Sequence, residues 1–296
     1  MAGNAGYHIV AFLTVVVWGS TFVFTKLLLL NGLSPAHIFT LRFVIAYVLL
    51  AGYEMVFRRK SHRWFSDSWR DELLMIALGV TGGSLYFLAE NEALNYTATT
   101  NVSLIVCSCP LVAALLIGFF YKSERMRPLQ TTGALMAVCG VAAVVLNGHF
   151  VLHLSPLGDA LALAACLCWA VYSLLMIPAN HRYGSLFITR KVFFYGLLTM
   201  IPYFLFVPDM PPVEVLLRPQ VVGNLLFLGV VASCICYLVW TWVIDKLGAM
   251  VTTNYVYINP LSTIVVARLV LGEQITPFFL LGAVLILTGM YLADRK

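Results

Sequence analysis

Charge is what this chain has least of. Only 10% of its 296 residues are Asp, Glu, Lys or Arg, and 61% are hydrophobic. Soluble domains carry about 25% charged residues, so this chain cannot cover a water-facing surface and a soluble fold is excluded. The net charge of +5 sits in short loops rather than in one patch, which argues against nucleic acid as a partner. No Gly-x-x-x-x-Gly-Lys run occurs, so nothing points to ATP-driven pumping. The seven cysteines fall inside apolar runs, including three Cys-x-Cys pairs at 107 and 109, 166 and 168, and 234 and 236. Zinc and redox motifs usually place two residues between their cysteines in a polar setting; these read as small, polarisable packing residues. No Ser-His-Asp or metal-ligand constellation can be assembled, so no enzyme, cofactor or metal site is expected. The histidines stand at segment ends or in loops and no acid stands at mid-span, so no proton relay is evident.

What is present is a repeat. Cys109-Pro110-Leu111, Glu124, Gly133 and Gly140 recur as Asn259-Pro260-Leu261, Glu273, Gly282 and Gly289. Upstream, Trp18 matches Trp169 and Tyr86 matches Tyr237, each 151 residues apart. The separation drifts by two residues over the whole set, which marks a tandem duplication with units at 1–147 and 153–296.

Ten apolar segments can be marked, near 8–30, 35–57, 72–90, 98–119, 128–146, 156–178, 187–207, 219–243, 249–271 and 276–293. Each suffices to cross about 30 Å of hydrocarbon. The first has no basic run before it and is long enough to span, so no cleaved signal peptide is expected. With the N-terminus inside, the inner loops hold Arg58, Arg59, Lys60, Arg63, Arg70, Lys122, Arg125, Arg127, Arg182, Arg190, Lys191, Lys246, Arg295 and Lys296. The outer loops hold only Arg218. The positive-inside rule then puts both termini in the cytoplasm. Five spans is an odd number, so the second copy enters the membrane from the opposite side. The expected fold is an all-α integral membrane protein of ten transmembrane helices, in two inverted five-helix repeats. That architecture serves secondary transporters, with the substrate site near mid-membrane between repeats.

The ten spans, the Trp18-Gly19-Ser20-Thr21-Phe22 and Leu41-Arg42-Phe43 stretches, and the two Pro…Glu…Gly…Gly runs resemble the EamA-type transporters of the drug/metabolite transporter superfamily. The resemblance covers nearly the whole chain in two units. It implies a secondary-type carrier of small metabolites in a bacterial inner membrane, often an exporter of amino acids or similar compounds. The second half departs from the first: Trp169-Ala170-Val171 stands for Trp18-Gly19-Ser20, and Phe193 stands where the first half has Arg42. The alternatives are a nucleotide-sugar or sugar-phosphate carrier, which would want more basic residues facing the cavity, and a non-transporting receptor or membrane enzyme. The expected partners are the lipid bilayer and a small solute; oligomeric state leaves no mark in the sequence.

Candidate cavity residues follow from depth and periodicity. Trp18, Thr21 and Phe22 share a helical face, as do Trp169 and Tyr172. Such faces line a cavity or simply pack between helices. Arg42 lies about 6 Å from mid-span, counting 1.5 Å per residue. It is either an electrostatic contact for an anionic substrate group or a structural anchor, while Lys26 snorkels. Asn101 and Cys107 on segment four, and Asn254 and Tyr257 on segment nine, add polar groups. Pro110 and Pro260 kink their helices and free a carbonyl, as hinges or as static packing kinks. Tyr86 and Glu90 stand toward the outer end of segment three, with Tyr237 and Trp240 toward the inner end of segment eight. They are candidate gates at opposite mouths, with Glu90 alternatively a solvated helix end. Glu124 and Glu273 read as helix caps. The glycines seven apart read as contacts between closely packed helices, assigning segments five and ten to packing.

Overall fold

The structure, a computed structural model, describes residues 5–57, 64–96, 102, 105–122, 125–146, 155–207, 211–271 and 277–293. Among them there are helices and no strands. In the first repeat α1 is Ala5–Leu30 and α2 is Pro35–Phe57. Next, α3 runs Trp69–Gly79 and Leu85–Tyr96 on either side of a π turn, Val80–Ser84. The repeat ends with α4 (Cys109–Phe120) and α5 (Pro128–Leu146). The second repeat has α6 (Pro156–Arg182) and α7 (Ser185–Leu198). Then α8 runs Pro219–Leu226 and Cys236–Leu247 around a second π turn, Phe227–Ile235. Last come α9, with Ala249–Asn254 and Asn259–Leu271 around a 3-10 turn, and α10 (Pro277–Ala293). Among the described residues, five helices, α1, α2, α3, α6 and α8, are long and apolar enough to cross a membrane.

Of the others, α5 and α10 keep the expected bounds within one residue, and α7 and α9 are interrupted for identifiable reasons. The expected span at 187–207 breaks at Thr199–Met200 and resumes as Ile201–Phe206. Pro202 supplies no N–H there, and the Thr199 hydroxyl bonds back to the Tyr195 carbonyl at 2.7 Å. Both kinking prolines stand at the second residue of a helical piece. Pro110 follows a turn at Ser108, and Pro260 follows the Tyr255–Ile258 3-10 turn. Glu124 and Glu273 lie outside the described residues.

The main helix pairs join one repeat to the other: α5 to α10, α3 to α6, α1 to α9, α2 to α8, α4 to α6 and α3 to α7. Close contact depends on glycine in the α5–α10 pair. A Cβ on Gly140 would lie 2.8 Å from the Gly282 carbonyl oxygen, and one on Gly282 would lie 2.6 Å from that of Gly140. Gly133 and Gly289 oppose each other in the same way, at 2.6 Å in both directions. The backbones therefore touch, which is the gain small residues give where lipid supplies no hydrophobic drive.

Gly140→Leu or Gly282→Leu is expected to destabilise the protein by about 1–3 kcal/mol through overpacking, read as a lower thermal midpoint in detergent. Gly52→Ala, at a site with nothing within 4 Å of the new methyl, is expected to leave the midpoint level or raise it.

Candidate functional site

Aromatic side chains from both repeats meet in one cluster. Trp18 on α1 contacts Trp169 on α6 (5.8 Å between ring centroids), and Tyr237 and Trp240 on α8 (5.4 and 4.8 Å). Trp169 also meets Tyr86 on α3 at 5.6 Å and Tyr172 at 5.4 Å. Phe43 on α2 and Phe193 on α7 close on Tyr237 at 5.8 and 5.4 Å. Most of these rings are buried, and the edge-on and tilted geometries are the ones aromatic quadrupoles favour.

The polar ends of two of these rings reach the two π turns. A π turn takes backbone groups out of the regular i to i−4 ladder and is often found at functional sites. In an apolar interior a released carbonyl needs another donor. Trp18 Nε1 donates to the Ala232 carbonyl at 2.9 Å. The Tyr237 hydroxyl donates to the Gly82 carbonyl at 3.1 Å. Each acceptor belongs to the other repeat's π turn. Gly82 also admits the Tyr172 ring, whose nearest atom would be 2.3 Å from an added Cβ.

The repeat equivalences of Trp18 and Tyr237 do not repeat these bonds. Trp169 should reach Thr81 and Tyr86 should reach Ser233, by the 151-residue offset. Instead, Trp169 Nε1 is buried without a partner among the described residues. The Tyr86 hydroxyl donates to Glu90 Oε1 at 2.9 Å. Arg42 Nε donates to Ser233 Oγ at 2.8 Å, with its guanidinium 5.2 Å from the Phe87 ring centre. The symmetry is broken by two charges of the first repeat, Arg42 and Glu90, which face Phe193 and Thr241 in the alignment of the halves.

The structure thus brings together Trp18, Arg42, Tyr86, Glu90, Trp169, Tyr172, Tyr237 and Trp240. Tyr86 and Tyr237 do not stand at opposite mouths but flank the Trp18–Trp169 pair. The reason is helix length: α3 and α8 extend beyond the expected segments, which moves both tyrosines toward mid-helix. Glu90 is buried, 7% exposed, so the solvated helix end is corrected. Thr21 bonds its own turn, to the Trp18 carbonyl at 2.6 Å. Tyr257 lies apart, packed with Ala137, Val141 and Ile286; Cys107 packs in the same group and comes within electrostatic reach of Glu90. Asn254 is buried at the end of the first piece of α9. Asn101 and the side chains of Phe22 and Lys26 lie outside what is described. Missed by the sequence were Phe43, Phe193, Phe87 and Ser233. The neighbouring Leu41-Arg42-Phe43 and Gly82-Gly83 stretches carried the only hint.

The EamA-like transporter profile matches residues 6–146 and again residues 156–293. The chain belongs to the EamA-like transporter family. It is therefore a membrane transporter by family, as are the relatives it resembles. One, an uncharacterized transporter of Archaeoglobus fulgidus, is 28% identical over 295 residues, covering 99% of both chains. A probable amino-acid metabolite efflux pump of Escherichia coli is 26% identical over 96% of this chain and 93% of its own. A probable terminal-alkyne amino-acid exporter of Streptantibioticus cattleyicolor is 28% identical over 96% of this chain and 92% of its own. A solved structure with 18% identity, covering 98% of this chain and 96% of that one, superposes with a TM-score of 0.78; it speaks to the fold alone.

This EamA-like chain also joins its repeats through ions, at the face where α2 ends and α3 begins. Lys191 pairs with Glu72, which also accepts from the Tyr195 hydroxyl and, at 2.7 Å, from the Ser66 N–H. Arg190 pairs with Glu54 at 2.7 Å. Arg182 pairs with Asp71, which accepts from the Tyr183 hydroxyl at 3.0 Å. Arg190 and Lys191 were expected in a loop. They are instead buried on α7, with Trp64, Phe65 and Phe187 against them. Their charge is tolerated because acids from α2 and α3 meet it. The equivalents of Asp71 and Glu72 are Val222 and Gly223, so this ionic contact is not duplicated at the start of α8. A cleft of about 420 Å³ lies beside it, lined by residues including His181, Arg182, Trp242 and Asp245.

Trp18→Phe is expected to lower stability by about 1–3 kcal/mol, because it strands the Ala232 carbonyl. Trp169→Phe removes an N–H that has no partner and should cost less, so thermal midpoints of the two variants separate them. Lys191→Met is expected to cost roughly 3–5 kcal/mol by leaving Glu72 buried without its cation. Adding Glu72→Gln to it should recover most of the loss in the same assay.

Proposed function

We propose that this protein is a secondary carrier that exports small amino acids or related amphipathic solutes across a bacterial inner membrane. Its ten helices span the bilayer as two inverted repeats, residues 1–147 and 153–296, with both termini cytoplasmic. The solute site is the aromatic cluster around Trp18 and Trp169. The observation that carries this reading is the cluster itself: rings from both repeats meet, and beside them one buried guanidinium, Arg42, bonds Ser233 and faces the Phe87 ring. Such a site suits a solute with an apolar body and an anionic group. The export direction rests on the relatives named as an exporter and as an efflux pump.

Alternating access follows from symmetry: exchanging the conformations of two inverted repeats moves the opening from one side to the other. Pro110 and Pro260, each just after a helix break, are the hinges. Tyr86, Glu90, Tyr237 and Trp240 close around the solute. In this reading the ion pairs from α2 and α3 to α6 and α7 close the cytoplasmic side, and Val222 and Gly223 offer no charged equivalent.

The test is uptake of labelled amino acids into proteoliposomes of the purified protein. Saturable flux is expected, falling by about tenfold or more in Trp18→Ala and in Arg42→Ala, the scale of one lost charged contact. Unchanged flux in both variants, with normal folding, would overturn the site; absence of saturable flux for every amino acid would overturn the substrate class.

A further inference from the structure

Arg42 and Glu90 are both more than nine-tenths buried, at 5% and 7% exposure. They lie within each other's electrostatic reach, yet no ion pair joins them among the described residues. Arg42 is anchored through Nε alone, on Ser233, and its flat face rests on Phe87. Glu90 is anchored through one oxygen, on the Tyr86 hydroxyl. The terminal guanidinium nitrogens and the second carboxylate oxygen have no hydrogen-bond partner among the described residues. Nearby, the ring nitrogens of Trp169 and Trp240 are also buried, with no partner among the described residues. Buried charges this incompletely satisfied are costly. The cost is recovered if a ligand completes both.

We propose that Arg42 and Glu90 form a zwitterion site. The free guanidinium nitrogens receive the carboxylate of an α-amino acid, Glu90 receives its ammonium, and the Trp18, Trp169 and Trp240 rings hold an apolar side chain. This rests on the carrier reading and names its substrate class more narrowly. A guanidinium fork matches a carboxylate in plane and donor spacing. The site carries one charge of each sign, so a zwitterion enters without changing the net charge of a low-dielectric interior. A carboxylate lacking the ammonium meets Glu90 as a like charge, and an amine lacking the carboxylate meets Arg42 in the same way. The pair therefore selects by repulsion as well as attraction. Among the described residues, the other groups that face Glu90 are Tyr86 on its own helix, Cys107, Cys109 and Tyr237; none of these supplies a second cation. The second repeat has Phe193 and Thr241 at the matching positions, so there is one such site and one orientation for the bound solute.

Three compounds of one shape test this: phenylalanine, 3-phenylpropionate without the ammonium, and 2-phenylethylamine without the carboxylate. Binding is read in detergent by intrinsic fluorescence, since three of the six tryptophans stand in the cluster, and is checked by ligand-induced thermal shift. Phenylalanine is expected to bind about tenfold or more tighter than either analogue, the worth of one charge-assisted hydrogen bond. Glu90→Gln should bring phenylalanine and 3-phenylpropionate to within about threefold of each other while preserving discrimination against the amine. Arg42→Gln should do the converse, and Arg42→Lys should retain the preference for a carboxylate. Each variant is first required to unfold cooperatively, and Glu90→Asp serves if Glu90→Gln does not fold. Equal binding of the three compounds, no binding of any, or wild-type ratios retained in both neutral variants would overturn the proposal. Saturable flux without zwitterion preference would overturn it and leave the carrier reading standing. Zwitterion-selective binding without flux would do the reverse.

Discussion

The structure depends on one constraint: in an apolar interior, every backbone carbonyl must find a donor within the protein. Two π turns, Val80–Ser84 and Phe227–Ile235, release carbonyls near the centre of the molecule. The donors that meet two of them, Trp18 Nε1 and the Tyr237 hydroxyl, come each from the opposite repeat. Satisfying the backbone and joining the repeats are thus the same act. It also explains why the aromatic cluster forms here. Trp and Tyr carry a large apolar body with a single polar tip, so they can reach a buried carbonyl and still fill the space around it.

The duplicated plan is then spoiled in one place, to a purpose. A fully symmetric centre would pair four ring donors with four π-turn carbonyls and leave an apolar, electrically featureless middle. Arg42 takes the Ser233 hydroxyl and Glu90 takes the Tyr86 hydroxyl, so the Tyr86–Ser233 bond is not made, and Trp169 Nε1 also finds no partner among the described residues. A charged, under-satisfied centre is poor for stability and good for binding, since the missing contacts can come from a solute.

Much of this was legible in the sequence. The offset of 151 residues paired Trp18 with Trp169 and Tyr86 with Tyr237, and all four meet. The glycines spaced by seven found each other because their absence of side chain is itself the contact. The π turns were not legible: an inserted residue in a helix changes no composition, and Gly82-Gly83 alone does not distinguish a π turn from close packing. The ionic contact at the start of α3 was not legible either. Arg190 and Lys191 counted as topology signals, because sequence shows the charge of a residue and not the acid that meets it across the fold. One expected span was also broken: the run at 187–207 read as continuous and is interrupted just before Pro202.

One more consequence follows from which helices touch. The principal contacts of α1, α2, α3, α4 and α5 are with helices of the second repeat, and the α5–α10 seam is backbone against backbone. Each half packs chiefly against the other rather than against itself. The covalent link between α5 and α6 contributes proximity rather than architecture: it raises the effective concentration of one half around the other. A gene that encodes half of this protein would encode a subunit. The whole is a dimer whose two copies were tied together and then allowed to differ, at Arg42 and Glu90, in the one place where difference is useful.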